Sequence, residues 1–121
     1  MLKRLDYAAF VAYLALIFWL SNQPKLPTPN WFEFEDKLHH YVAYFMMTIF
    51  AIRAFRHIAP LQKHLIWFGV LFSSLYGISD EIHQIFTPNR SPSVYDWLAD
   101  TTGALCAAWA WSWLAKKISK A

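Results

Sequence analysis

Asp36, His40 and Tyr44 recur at i, i+4 and i+8, so a helix through them puts all three along one face. Asp80, Glu81 and Gln84 form a second polar group, and Arg90, Ser91, Ser93, Asp96 and Asp100 a third. The carboxylates of Glu81, Asp96 and Asp36 and the imidazole of His40 are the side chains here that can take and give a proton, which makes them the candidate acid/base set. Arg90 offers a planar fork that matches phosphate or carboxylate, and Ser91 adds a hydroxyl donor. Arg90, Gln84, Ser91 and Tyr44 are therefore the candidate ligand-binding residues. The same groups have a plainer use. Glu81 or Asp96 with Arg90, and Asp36 with His40, would form buried ion pairs that do no more than fix the helices.

Carboxylates and imidazole also suit a hard or borderline cation, with Asp36, His40, Glu81 and His83 as the ligands to consider. Against this, His83 is two residues from Glu81 and points to a different helix face, and no H-E-x-x-H pattern exists. The sequence is read as holding no metal site and no cofactor, a divalent ion being the minor alternative. Cys106 is the only cysteine and lies in an apolar run, so neither a disulfide nor a thiolate metal site arises.

The elements that must position these groups are apolar. Of the 121 residues, 57% are hydrophobic and 16% charged, where a soluble domain carries about 25% charged residues. The excess is segmented into membrane-length runs, so the chain reads as a polytopic membrane protein: one domain over residues 1–121, all-α, with four transmembrane helices. Asp6–Leu20 follows a basic start and is read as a retained helix, because no small-x-small cleavage site follows it. Ser21–Glu35 is a loop broken by Pro24, Pro27 and Pro29, in which Trp31, Phe32 and Phe34 suit the head-group layer. Leu38–Phe55 is the second span. Arg53–His64 is a basic loop with Pro60 as breaker. The third span starts at Leu65 and runs toward Phe86; Pro88 and Pro92 turn the chain into the fourth, Val94–Leu114. Trp109, Trp111 and Trp113 suit an interfacial belt, and His39, His57 and His64 are read as solvated near the interfaces.

Four spans place both termini on one side. That side holds Lys3, Arg4, Arg53, Arg56, Lys63, Lys116, Lys117 and Lys120; the other holds Lys25, Lys37 and Arg90. The positive-inside rule makes the first side cytoplasmic. The polar groups then cluster at the extracytoplasmic side, facing inward, since an ionisable side chain at a span centre costs about 2.5–3.5 kcal/mol. Ala99, Gly103 and Ala107 form a small-xxx-small ridge for close helix approach. The basic residues form no stripe interleaved with aromatics, which argues against nucleic acid.

The chain resembles the VanZ-like family of small bacterial membrane proteins. The likeness rests on Ser21-Asn22-Gln23-Pro24, on Asp36-Lys37-Leu38-His39-His40-Tyr41 with Tyr44, and on Tyr76-Gly77 through Asp80-Glu81-Ile82-His83-Gln84, Arg90-Ser91-Pro92-Ser93, Asp96 and Gly103. Asp100 stands where the family pattern usually has Asn. The resemblance implies a four-span protein of the bacterial inner membrane, and the family's namesake is associated with lowered susceptibility to teicoplanin-type glycopeptide antibiotics.

Together these readings give an outward-facing polar pocket, level with the outer leaflet, for an envelope lipid or a lipid-linked cell-wall precursor. Binding and turnover, as a head-group hydrolase or transferase, are both open. The competing reading is a structural or accessory subunit whose polar cluster locks its helices. A proton-coupled transporter would need polar groups through the full membrane depth, and the inner halves of the spans supply few. The free outward faces of four short spans leave room for a homo-oligomer.

Overall fold

A computed structural model describes residues 2–22, 35–87 and 93–120, with the side chains of residues 35, 36, 119 and 120 excepted. Among the described residues the fold is all-helical: α1 Leu2–Ser21, α2 Glu35–Phe55, a short 3-10 helix Ala59–His64, α3 Leu65–Ile85 and α4 Val94–Lys120. The expected aromatic segment at Trp31–Phe34 and the turn at Pro88–Pro92 lie outside the described residues. Twenty residues at 1.5 Å each give α1 a length of about 30 Å, the thickness of a bilayer core.

Boundaries differ from the sequence reading at several points: α1 starts at Leu2 rather than Asp6, and α2 at Glu35 rather than Leu38. The basic loop contains the 3-10 helix, with Pro60 in its first turn, where proline's missing N–H costs little. α4 continues past Leu114 to Lys120, because Ala115, Lys116 and Lys117 are good helix formers.

Contacts fix an up-down-up-down course. Asp6 near the start of α1 meets Arg53 at the end of α2, while Ser21 at the end of α1 meets Asp80 near the end of α3. α1 and α3 thus run one way, α2 and α4 the other. α2 is the central helix and packs most extensively against α4. Its buried face carries Tyr44, Met47, Thr48, Ala51 and Ile52. Gly103 explains the closeness of that pair. A Cβ there would stand 2.3 Å from the Tyr41 carbonyl oxygen, so only a residue without one lets the two backbones meet. Ala104 and Ala107, fully buried beside it, continue the small surface.

Among the described residues, only α1 and the stretch Ala59–Ile85 are long and apolar enough to read as membrane spans on composition. α2 and α4 have the length but carry more polar residues. Those residues turn inward: His40, Thr48, Asp96 and Asp100 are buried, while Leu38, Val42, Leu98, Leu105 and Trp109 are exposed. On α3, Trp67, Leu71, Leu75, Ile78, Ile82 and Ile85 form one exposed apolar face. The bundle thus buries polar side chains beside its apolar core and exposes apolar ones.

Candidate functional site

The polar groups of three helices converge at the end of the bundle where α1 and α3 stop and α2 and α4 start. On α3, Ser73, Gly77, Asp80 and Gln84 recur every three to four residues and are all buried, which makes one inward stripe. On α4, Asp96 and Asp100 are one turn apart and face the same way, with Gly103 following. α2 supplies His40 and, one turn deeper, Tyr44.

His40 is the hub. Its Nδ1 lies 2.8 Å from Asp100 Oδ1 and its Nε2 3.7 Å from Asp96 Oδ2. Lys37, one turn earlier on α2, makes an ion pair with Asp96. Asp80 accepts a hydrogen bond from Tyr44 Oη at 3.3 Å. The Ser21 hydroxyl sits between the Asp80 carboxylate and the Ile17 carbonyl, either of which can take its proton. Glu81 Oε2 accepts the Ser93 N–H at 2.8 Å, tying α3 to the first turn of α4. Ser93 also caps that helix, its Oγ accepting the Tyr95 N–H at 3.1 Å. Deeper in, the Thr48 hydroxyl is bonded to that of Ser73 at 2.7 Å, and Trp97 Nε1 donates to the Ser74 carbonyl at 3.0 Å.

One ligand-type atom from each of His40, Asp80, Glu81 and Asp100 falls within 4.8 Å of every other. Ionised carboxylates at that spacing repel by about 3.5 kcal/mol per pair at an effective dielectric near 20, so the cluster needs counter-charge. Two carboxylate atoms there, Glu81 Oε1 and Asp100 Oδ2, are buried with no hydrogen-bond partner among the described residues. Gly77 makes room for the second: a Cβ at that position would lie 2.9 Å from Asp100 Oδ2.

Beside the cluster, α3 and α4 enclose a groove of about 430 Å³. Ile78, Ile82, Ile85, Val94 and Trp97 make its walls apolar, and Glu81 and Ser93 are the polar residues that line it.

Of the residues expected from the sequence to form the site, His40, Tyr44, Glu81, Gln84 and Asp96 lie at this end of the bundle. Gln84 is buried one turn beyond Asp80. Asp36 is in the first turn of α2, but its side chain lies outside the described residues, as do Arg90 and Ser91. The expected pairs of Arg90 with Glu81 or Asp96 and of Asp36 with His40 involve side chains outside the described residues; among the described ones, Asp96 takes Lys37 and His40 lies against Asp100. His83 does not join the cluster. It stacks on Phe18 with ring centroids 4.7 Å apart. Among the described residues, Asp80 and Asp100, and not His83, join His40 and Glu81 in the cluster. Both sit at helical spacing in their stripes, and that periodicity was the available signal.

His57 also departs from expectation. It is not solvated but held at the opposite end of the bundle, with Nε2 2.7 Å from Asp6 Oδ2. Arg53 Nε and Arg56 Nη2 donate to the same carboxylate at 3.0 and 2.9 Å. Asp6 is buried beneath them, because two guanidinium groups and an imidazole replace its water.

No curated protein and no solved structure matches the chain. The family model described as VanZ/LLP1 matches residues 7–115, nearly its whole length, and the chain belongs to that family.

Proposed function

We propose that this is a four-span protein of the bacterial inner membrane, with both termini cytoplasmic, that binds or modifies an envelope lipid or lipid-linked precursor at the His40 end of the bundle. The observation that carries this reading is the groove between α3 and α4. Its apolar walls suit an acyl or prenyl chain, and Glu81 and Ser93 stand where the head group would meet the buried polar cluster. The exposed apolar faces of all four helices support four spans rather than two, since such continuous apolar surface needs lipid or protein against it. The eight-to-three division of basic residues supports the orientation. On this reading His40, Asp96 and Glu81 serve a bound head group as proton carriers or hydrogen-bonding partners. Any effect on teicoplanin susceptibility follows from altered handling of the lipid or precursor.

The test fills the groove. Ile82 is exposed on its wall, so Ile82→Trp can occupy the space without entering the core. Wild type and variant are purified in nanodiscs of bacterial lipid, and co-purifying amphiphiles are measured by mass spectrometry. The expected result is a phosphate-bearing amphiphile retained by the wild type and depleted in Ile82→Trp at equal folded protein. Equal retention by both refutes the groove as the site.

A structural reading has its own observation: Ser21, Tyr44 and Asp80 join α1, α2 and α3 through one carboxylate. The two readings separate at Glu81→Gln. A ligand-handling Glu81 leaves a folded, abundant protein that fails to restore the envelope lipid profile of deleted cells. A purely structural cluster gives full restoration wherever the protein accumulates.

A further inference from the structure

We propose that His40, Asp80, Glu81 and Asp100 form a binding site for one divalent cation of the borderline class, Zn2+ or Mn2+. The inference does not depend on the lipid reading, and its test reads metal directly. The four side chains come from three helices, and the ligand-type atoms converge to within 4.8 Å of one another. Four ligands set tetrahedrally about an ion at about 2.1 Å are ~3.4 Å apart, so closing on a metal from a spread of 4.8 Å takes a movement of up to about 1 Å by each side chain.

The donor set fits the ion. One imidazole with carboxylates is ordinary for Zn2+ and accessible to Mn2+, and is poor for Ca2+, which takes oxygen ligands alone. Independent support comes from Asp100. Its side chain is fully buried, Oδ1 is taken by His40, and Oδ2 has no partner. A buried carboxylate oxygen without a partner is costly unless something occupies the space before it. Gly77 keeps that space free of a side chain on α3. Glu81 Oε1 is the second unpartnered oxygen of the group, with Oε2 held by the Ser93 N–H, which fixes the orientation of the carboxylate. The surroundings also supply an outer shell: Tyr44 and Ser21 hold Asp80, and Lys37 and His40 face Asp96. A divalent ion would lower the negative charge gathered at this end of the bundle, a task protons could also perform, and the experiment separates the two.

The full-length protein, with any purification tag removed, is placed in nanodiscs of zwitterionic lipid. It is stripped with a chelator, dialysed against Zn2+ or Mn2+ and analysed for bound metal; Co2+ is added separately, and its visible d–d bands are recorded. The expected result is one ion per chain, with Co2+ bands of mixed nitrogen and oxygen ligation. Asp100→Asn and Glu81→Gln should each weaken binding at least tenfold. His83→Gln, outside the cluster, should bind as wild type does. Glu81 is less deeply buried than Asp100, so Glu81→Gln keeps the test valid if Asp100→Asn does not fold. Absence of stoichiometric metal on the wild type overturns the proposal and leaves protons as the neutralising species. So does binding that survives Glu81→Gln but is lost in His83→Gln.

Discussion

Gly103→Ala is the sharpest test of how the bundle holds its polar end together. The added methyl would lie 2.3 Å from the Tyr41 carbonyl oxygen, 3.1 Å from its carbon and 3.2 Å from the Phe45 nitrogen. All three are backbone atoms of α2, so no rotamer change relieves the clash. Ordinary contact starts at 3.4 Å, and 3.4 minus 2.3 means that α2 and α4 must part locally by about 1.1 Å. Overpacking of this kind costs about 1–3 kcal/mol, and a backbone clash belongs at the top of that range. Replacing a helical glycine by alanine returns about 1 kcal/mol of propensity. The net expectation is a loss of about 2 kcal/mol.

Gly69→Ala is the matched control. Its methyl would meet Ile52 Cγ1 at 2.7 Å; this buried, β-branched side chain must shift, but no backbone atom stands in the way. The overpacking cost then falls near 1 kcal/mol and the propensity gain cancels it. Both variants are unfolded in mixed micelles by rising SDS fraction, followed by far-ultraviolet circular dichroism. Because Asp100 and His40 sit next to the Gly103–Tyr41 contact in their helices, the Gly103 variant should also lengthen the 2.8 Å His40–Asp100 bond, seen as a shift of the His40 ring nitrogen resonances. Equal stability of the two variants, with unchanged His40 resonances, would refute the claim that this glycine sets the α2–α4 distance.

Asp6→Ala should cost about 1.5–3 kcal/mol in the same unfolding assay, the worth of hydrogen bonds to charged groups. The value stays below that of a fully buried pair because Arg53 and Arg56 are 44% and 34% exposed and can rehydrate. A double-mutant cycle of Thr48→Val and Ser73→Ala should return a coupling of about 0.6–1.7 kcal/mol, as for buried hydroxyl pairs between membrane helices, and a coupling of zero would remove that bond from the account.

The four helices were legible in the sequence because mainly apolar runs are separated by prolines, and both signals are local. The polar stripes were legible for the same reason. His40 with Tyr44, and Asp96 with Asp100, each sit four residues apart, and that spacing alone puts each pair on one face. What the stripes could not reveal was who meets whom. His40 and Asp100 are 60 positions apart, Ser21 and Asp80 are 59, and Asp6 and His57 are 51. Each pairing depends on how two helices are rotated against each other, and close packing at glycines decides that rotation. Gly103 was visible as part of a small-residue ridge, but that it faces the Tyr41 carbonyl depends on the fold. His57 reads as solvated from sequence because it lies near an interface. Its partner Asp6 looked like a lone acid in a basic start.

The two ends of the bundle solve the same problem in opposite ways, and the contrast bears on function. At one end Asp6 is buried, yet both of its oxygens are bonded, to Arg53 through Oδ1 and to Arg56 and His57 through Oδ2. Such a carboxylate has nothing left to offer a ligand, and its role is to hold α1 to α2. At the other end Asp100 and Glu81 each keep one buried oxygen without a partner, beside a groove that opens outward. A cluster whose only task was to lock helices would be more stable with those atoms satisfied or replaced by apolar groups. The unsatisfied pair therefore favours a site that is completed by something it binds. If Asp100→Asn and Glu81→Gln both raise stability while abolishing metal and amphiphile binding, the stability given up at this end serves function. If both lower stability and leave binding unchanged, the His40 end is a lock like the Asp6 end.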